Sequence, residues 1–412
     1  MRYCLILLPG LLAWFSFPVM ATESLISPGV EEKEAADSID STLERRDALD
    51  YDPSRPSLIP PFFEKFRARR EEMQKKFRLE TVYSYDALGQ GYANSKGTLG
   101  ASSGEVSFSA RWLLFGQKYN RPFYLSFRLR DRHAYSDHAP SEISSATGLL
   151  WKTVDGFSDA GLQVPNFYFS QELADARLTL RYGQYSIDYF FDKHDLRSAK
   201  RYFLNYAFSN NPAVAFPGFG AGIIAQWKDA GNWDITIGAS NIQGTDPTKK
   251  VNLTLDSSAL FYSVQGGYGF KGIANQNARV QLMGWETRSN GEERLSEGRG
   301  VSLVLEQKGI SERDHFVARY AFSDGDATDV DQLLMLGWGR EIKKHDHLGI
   351  GLGLGRSALD SSTWQGVGEI YYRWQATKEL MITPDLQIIL GEGLGDGSSF
   401  QVVAGVRAGI TF

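Results

Sequence analysis

The stretch "SFQVVAGVRAGITF", Ser399 to Phe412, ends the chain. Counting back from Phe412, the residues Ile410, Ala408, Val406, Ala404, Val402 and Phe400 share one face, while Arg407 and Gln401 take the other. A period of two with one apolar and one polar side is the mark of a β-strand. The pattern recurs upstream. Val106, Phe108, Ala110, Trp112 and Leu114 oppose Glu105, Ser107, Ser109 and Arg111. Phe123, Phe127 and Leu129 oppose Tyr124, Ser126, Arg128 and Arg130. Trp233, Ile235, Ile237 and Ala239 alternate with Asp234, Thr236, Gly238 and Ser240. Leu348, Ile350, Leu352 and Leu354 alternate with Gly349, Gly351, Gly353 and Gly355, so one strand has an all-glycine face, expected to turn inward and leave room for an inward loop or the N-terminal helix to approach. Segmented in this way, Phe77 to Phe412 holds about sixteen strands, give or take two.

Composition says what such strands build. The 412 residues contain 42 Gly, 25 Phe, 19 Tyr and 9 Trp, yet only 42% are apolar. High glycine and high aromatic content at ordinary hydrophobicity suit a transmembrane antiparallel β-barrel, whose strands turn apolar residues to lipid and polar residues to the lumen. A soluble, secreted all-β protein is the competing reading on composition alone. The chain begins with Arg2, an apolar run from Leu5 to Phe17 and small residues ending at Ala21, the pattern of a signal peptide over 1–21. That run is too short for a membrane helix, which needs roughly 20 apolar residues. The one cysteine, Cys4, falls inside it, so the exported chain is expected to form no disulfide.

Residues 22–60 carry ten acidic and four basic side chains and almost no aromatics, which predicts a flexible or marginally helical leader on the periplasmic side. The run "PFFEKFRARREEMQKKF" reverses the charge and spaces its Phe and Met residues partly as a helix does, so 61–76 is predicted as a short amphipathic helix. A packing role at the barrel's periplasmic mouth and a solvated linker are both open for it. The barrel is expected over 77–412.

Four motifs, in order along the chain, add a resemblance: "DYFFD" at Asp188–Asp192, "FLNYAFSNNPAVAFPGFGAG" at Phe203–Gly222, "FSDGDATDVDQLLMLGWG" at Phe322–Gly339 and "TPDLQIIL" at Thr383–Leu390. From about Phe77 onward the chain resembles the carbohydrate-selective porin family of Gram-negative bacteria, the OprB type. The resemblance implies an outer-membrane barrel of sixteen strands that passes sugars passively through an eyelet narrowed by inward-folded loops. The closing strand ending in Phe412 resembles the signal read by the barrel-assembly machinery. The long leader and the charged loop tip "DKHDLRSAKR" depart from the expected pattern.

A barrel of this size encloses a wide aqueous lumen, and a selective pore must narrow it. The connection after the strand that contains Arg181 is long and aromatic enough to do so, with Asn210 and Asn211 available to sugar hydroxyls; an extracellular cap is the alternative. Strand alternation turns Arg128 and Arg130 inward, and Arg111 and Arg181 also fall on polar faces, giving a basic ladder. Asp188, Asp192 and Asp195 in the loop are the matching counter-charges. The alternative is that the arginines pair with neighbours to hold the wall.

Chemistry is not expected. None of the histidines at 133, 138, 194, 315, 345 and 347 stands in a nucleophile-elbow or HExxH context. "HDH" at 345–347 has ligand-like spacing but lies in a charged hairpin, where a solvated turn is the simpler reading. No helix-forming sequence follows the glycines at 218–222, so they are not a phosphate loop. With Arg2 set aside, 43 basic against 49 acidic residues and no recognition module argue against nucleic acid. The expectation is therefore a porin for mono- and disaccharides or similar small polar solutes, with no cofactor and no metal. Its partners would be solute, outer-membrane lipid and the assembly machinery. A barrel enzyme acting on lipid or glycan, and a polysaccharide export barrel, are the rivals.

Overall fold

The computed structural model describes residues 38–50, 52–94, 97–116, 121–173, 175–229, 231–242, 249–288, 297–309, 311, 313–391 and 399–412. The expected signal peptide, with Cys4 and Ala21, and the first part of the leader lie outside the described residues. Among these residues, sixteen strands form one closed antiparallel barrel. They are β1 (Leu79–Asn94), β2 (Gly97–Phe115), β3 (Phe123–Ala134), β4 (Gly161–Leu173), β5 (Leu178–Tyr185), β6 (Gly220–Lys228), β7 (Trp233–Asn241) and β8 (Leu260–Lys271). The second half is β9 (Asn277–Arg288), β10 (Gly298–Lys308), β11 (Asp314–Gly325), β12 (Val330–Lys343), β13 (Asp346–Ser357), β14 (Trp364–Gln375), β15 (Leu380–Leu390) and β16 (Phe400–Thr411). Each strand pairs with its chain neighbours, and β1 closes on β16 from Ser84↔Thr411 to Asn94↔Gln401. Closure leaves no unpaired edge, as a bilayer requires.

The alternation sorts as the sequence predicts. Val106, Trp112, Trp233, Ile235, Ile237, Leu352 and Val406 are exposed on the outside, while Glu105, Ser107, Ser109, Arg128, Arg130 and Arg407 are buried in the lumen. Leu113 and Phe115 flank a register shift opposite Tyr124 and Phe123, where the strict alternation of β2 ends.

Connections are divided between the barrel's two ends. The end that carries Phe412 has short links, such as 344–345 and 376–379. The far end carries the long ones, 135–160, 186–219 and 242–259. The 186–219 connection does not cap the far end. Phe191, Phe203, Leu204, Ala207, Phe208 and Asn211 in it are fully buried; Phe203, Ala207 and Phe208 pack against inward residues of β10 to β14, Phe191 lies against Gly238 of β7, and Asn211 donates to Ser302 of β10.

The glycine face of β13 makes room for this. A Cβ on Gly351 would come within 2.8 Å of Phe208 and 3.0 Å of Phe203, and one on Gly355 within 2.8 Å of Trp151 from the 135–160 connection. The stripped wall is the seat of the inward loops.

The leader departs from expectation. Its described part forms α1 (Ile39–Asp50), which packs on β1, β2 and β3 with Ile39 and Leu43 buried. Ile39 and Leu43 join a cluster with Val82 of β1, Tyr168 of β4, Tyr185 of β5 and Ile187 and Phe190 of the 186–219 loop, so α1 lies inside the lumen. Composition suggested disorder because the leader's charges had no visible partners; the barrel supplies them. Asp40 pairs with Arg111 (2.9 Å), Asp50 with Arg67 (3.3 Å) and Arg70, Asp52 with His345 (2.6 Å) and Lys344 (3.2 Å), and Arg55 with Asp346 (2.9 Å).

The basic run forms α2 (Pro60–Phe77), started by two prolines and stopped by Arg78 in the left-handed region at φ 56°. It packs at the β1–β16 seam. Phe62, Phe63 and Phe66 surround the Phe412 ring at 6.4, 5.3 and 4.9 Å, and Tyr83 stacks on that ring at 5.9 Å.

Candidate functional site

Inside the barrel the 186–219 loop, α1 and the β1–β3 wall meet around one small cavity. Thr42 and Arg45 of α1, Val82, Ser84 and Asp86 of β1, Ser107 and Ser109 of β2, Arg128 of β3 and Lys200 of the loop line a residual cavity of about 20 Å³. That is room for about one water. Four hydroxyls, three cations and one carboxylate offer both donors and acceptors to a polyhydroxylated solute. Lys200 reaches Asp86 at 3.4 Å and also Glu105. Glu105 in turn accepts from Arg132 (2.6 Å), so the cations of this wall share few carboxylates.

The expected basic residues all face inward, and they do different things. Arg128 lines the cavity and donates to Ser109 Oγ (2.8 Å). Arg130 donates to Gln163 Oε1 (3.0 and 2.7 Å) and lies over Phe219 at 4.9 Å. Arg181 lies over Phe190 at 4.8 Å and donates to Gln226 (3.4 Å). Arg111 binds Glu80 (2.7 Å) and Asp40 (2.9 Å) and so ties α1 to the wall. Stacking on loop aromatics makes Arg130 and Arg181 part of the loop's seat.

The loop acids are placed differently from the expected counter-row. Asp188 takes Arg197 at 2.6 Å and the Ser186 hydroxyl. Asp192 accepts from Asn211 (2.8 Å) and Ser302 (2.6 Å) and lies 3.3 Å from Arg319. Both acids are buried, within the loop and between loop and wall. Asn210 donates to Asp155 (3.2 Å) and accepts from Arg197 (2.9 Å). Asp195 is the most open of the group. It lies 3.5 Å from His315 Nδ1, whose Nε2 is 3.4 Å from Glu306, while its own amide donates to Glu306 (2.7 Å). The "HDH" residues part company: His345 sits in the β12–β13 turn at φ 71°, bonded to Asp52, and His347 bonds Tyr371 (2.9 Å) in the lumen.

Sequence reasoning missed the residues that fix the loop, because their partners are carbonyls and distant carboxylates. Arg197 donates to Asp188 O (2.6 Å), Phe191 O (3.0 Å) and Ser209 O (3.2 Å). Arg319 donates to Asp192 O (3.1 Å) and Asn210 O, and Arg407 to Ala199 O and Tyr202 O (3.2 Å). Asn205 caps α3 (Tyr206–Ser209) by accepting from Ala207 N (3.1 Å), accepts from Trp151 Nε1 (2.8 Å), and donates to Gln387 (2.9 Å). Their only signal in sequence was the inward phase of Arg319 and Arg407.

Two buried titratable groups outside the strands record how dry this seat is. Burial, then the guanidiniums of Arg319 and Arg197, hold His194 well below the usual imidazole range, so its Nε2–H is neutral and donates to Phe208 O (3.1 Å). Burial and then Asp188 push the Asp155 carboxyl upward.

Known proteins share this architecture. OprB of Pseudomonas putida, in its high-pH structure, superposes with a TM-score of 0.68 at 14% identity, over 84% of this chain and 97% of that one. Its low-pH structure gives 0.54 at 14% identity, over 84% and 96%. A multiple mutant of Rh. blastica porin gives 0.50 at 12% identity, over 81% and 100%. No curated protein sequence matches the chain. Residues 262–412, from β8 to the C-terminus, match the family model "Carbohydrate-selective porin, OprB family".

Proposed function

We infer that this chain is an outer-membrane porin of a Gram-negative bacterium, through which mono- or disaccharides and similar small polar solutes diffuse. The observation that carries the reading is a closed sixteen-stranded barrel narrowed from within by the 186–219 loop to a cavity lined with hydroxyls, guanidinium and carboxylate. The family match over 262–412 and the barrel shared with OprB support it. The end with Phe412 faces the periplasm, following the rule that short turns are periplasmic. The signal peptide would be removed near Ala21, and the Phe412 strand offered to the assembly machinery. A channel needs no catalytic group.

Of the nine residues expected in the pore, Arg128 is the one that lines the cavity. Arg111, Arg130, Arg181, Asp188, Asp192, Asn210 and Asn211 act by fixing α1 and the loop around it, and Asp195 is the loop's open acid. A sugar entering exchanges hydration for hydrogen bonds to Arg128, Lys200, Asp86 and the three serines.

The test is swelling of proteoliposomes in a panel of monosaccharides, disaccharides, amino acids and organic acids. Sugar flux above that of empty vesicles is expected, slow in the full chain, and Arg128→Ala should change the ranking of sugars while the barrel stays folded. Equal flux for all solutes of one size, before and after the substitution, would remove sugar selectivity from this site.

A further inference from the structure

We propose that α1 is a built-in plug, closing the passage beside the β1–β3 wall from the end that carries Phe412 and opening it when it leaves. The inference rests on the channel reading above and adds that the channel is gated.

Three observations carry it. First, α1 completes the enclosure. The 20 Å³ cavity has Thr42 and Arg45 as one wall, with Arg128, Lys200, Asp86 and the serines as the others. No sugar fits in a space for one water, so beside the β1–β3 wall a solute can pass only if one of these walls moves.

Second, α1 is the wall built to move. Each strand is held by two ladders, and the 186–219 loop by carbonyl bonds from Arg197, Arg319 and Arg407. Among the described residues, by contrast, no backbone-to-backbone hydrogen bond joins 39–50 to the barrel. The helix is held by side chains: Ile39 and Leu43 in the apolar cluster, Asp40 on Arg111, and Arg46 on Thr81 O.

Third, the residues that follow α1 form a tether at the rim. Asp52 binds Lys344 and His345, Arg55 binds Asp346, Ser57 donates to Glu379 (2.7 Å), and Lys378 N donates to Pro56 O (2.9 Å). Asp50, at the end of α1, meets Arg67 and Arg70 of α2, which is itself packed on Phe412. A helix lightly held in the lumen and firmly tethered outside it can swing out and return without being lost.

The experiment records single-channel conductance of the full chain in planar bilayers. The variant Asp40→Ala/Arg46→Ala alters no residue that lines the cavity, cuts α1 from Arg111 and Thr81 O, contacts made only when the helix is seated, and should raise the open fraction about tenfold. Thr42→Cys with Val82→Cys places two thiols on opposite walls of the cavity. Bridged by a short bis-methanethiosulfonate reagent, that variant should stay closed, and dithiothreitol should restore conductance. An intact heat-modifiable barrel on gels confirms that each variant folded. Unchanged conductance after bridging, in a chain that conducts, would overturn the plug and leave the channel standing. Absence of conductance in every state, with the Asp40→Ala/Arg46→Ala variant folded and the bridge reduced, would overturn both.

Discussion

Replacing Arg319 should unseat the constriction loop without opening the barrel. Arg319 on β11 and Asp192 in the loop both have fully buried side chains, 3.3 Å apart, in a lumen where water cannot replace a lost partner. Removing one member of such a pair costs about 3–5 kcal/mol. Asp192 keeps Asn211 at 2.8 Å and Ser302 at 2.6 Å, so Arg319→Met belongs at the lower end, about 3 kcal/mol. At about 1.4 kcal/mol per decade, the loop's opening constant rises roughly a hundredfold. Asp192→Asn leaves the guanidinium its two carbonyls and should cost about 1.5–3 kcal/mol. The double variant removes both charges, so it should cost less than the sum by about 1–2 kcal/mol. Amide hydrogen exchange across 192–211 in lipid nanodiscs reads the opening directly, with strands β9 to β12 as the internal reference. Single variants that add within about 0.5 kcal/mol, or Arg319→Met with unchanged exchange in the loop, would refute the pair as the loop's anchor.

Two further outcomes follow from the same seat. Gly351→Ala puts a Cβ 2.8 Å from Phe208, whose ring is fully buried and cannot swing into solvent, so the loop should lose about 1–3 kcal/mol of seating; unchanged protease resistance at 199–210 would show that the glycine wall is not a contact surface. His194 is held below its usual range in the seated loop and regains about 6.5 when the loop opens, so the open form binds the extra proton and the seat weakens as pH falls below about 6.5. Loop exchange should therefore rise between pH 7.5 and 5.5 in the native chain and lose that slope in His194→Gln; equal slopes would assign the effect to another group.

The barrel was legible because a closed sheet in lipid obliges every strand to state its two faces in sequence. Val106 against Glu105, or Ile235 against Asp234, settles which side is which with no knowledge of neighbours. The glycine run at 349–355 was legible one step further, as a wall waiting for another segment. The leader was not. Ten acids and four bases read as a solvated chain only while their partners are unknown, and Arg111, His345 and Asp346 lie up to about 300 positions away. The site was half legible for the same reason. Alternation turned Arg128 and Arg130 inward, yet nothing local showed that Phe219 would lie over one and α1 would close over the other. Asp188 and Asp192 looked like pore-facing charges because acids in a loop tip usually are solvated. Here Arg197, nine residues on, folds the loop back over Asp188 and leaves Asp192 to Arg319.

That use of charge bears on selectivity. A row of acids facing a row of arginines would set up a strong transverse field, but an acid consumed by a neighbouring guanidinium contributes little beyond a few ångströms. In this lumen most charges cancel locally, and the field in the cavity is set by the few groups that line it: Arg45, Arg128 and Lys200 against Asp86. One of the three cations, Arg45, belongs to α1. When the helix leaves, the cavity therefore does more than widen; it loses a positive charge on the side from which α1 withdrew, while Arg111 is released from Asp40 and turns back to Glu80 alone. The closed and open channels thus differ in preference as well as in size. A neutral sugar, bound through hydroxyls, would register that change far less than an anion of the same bulk.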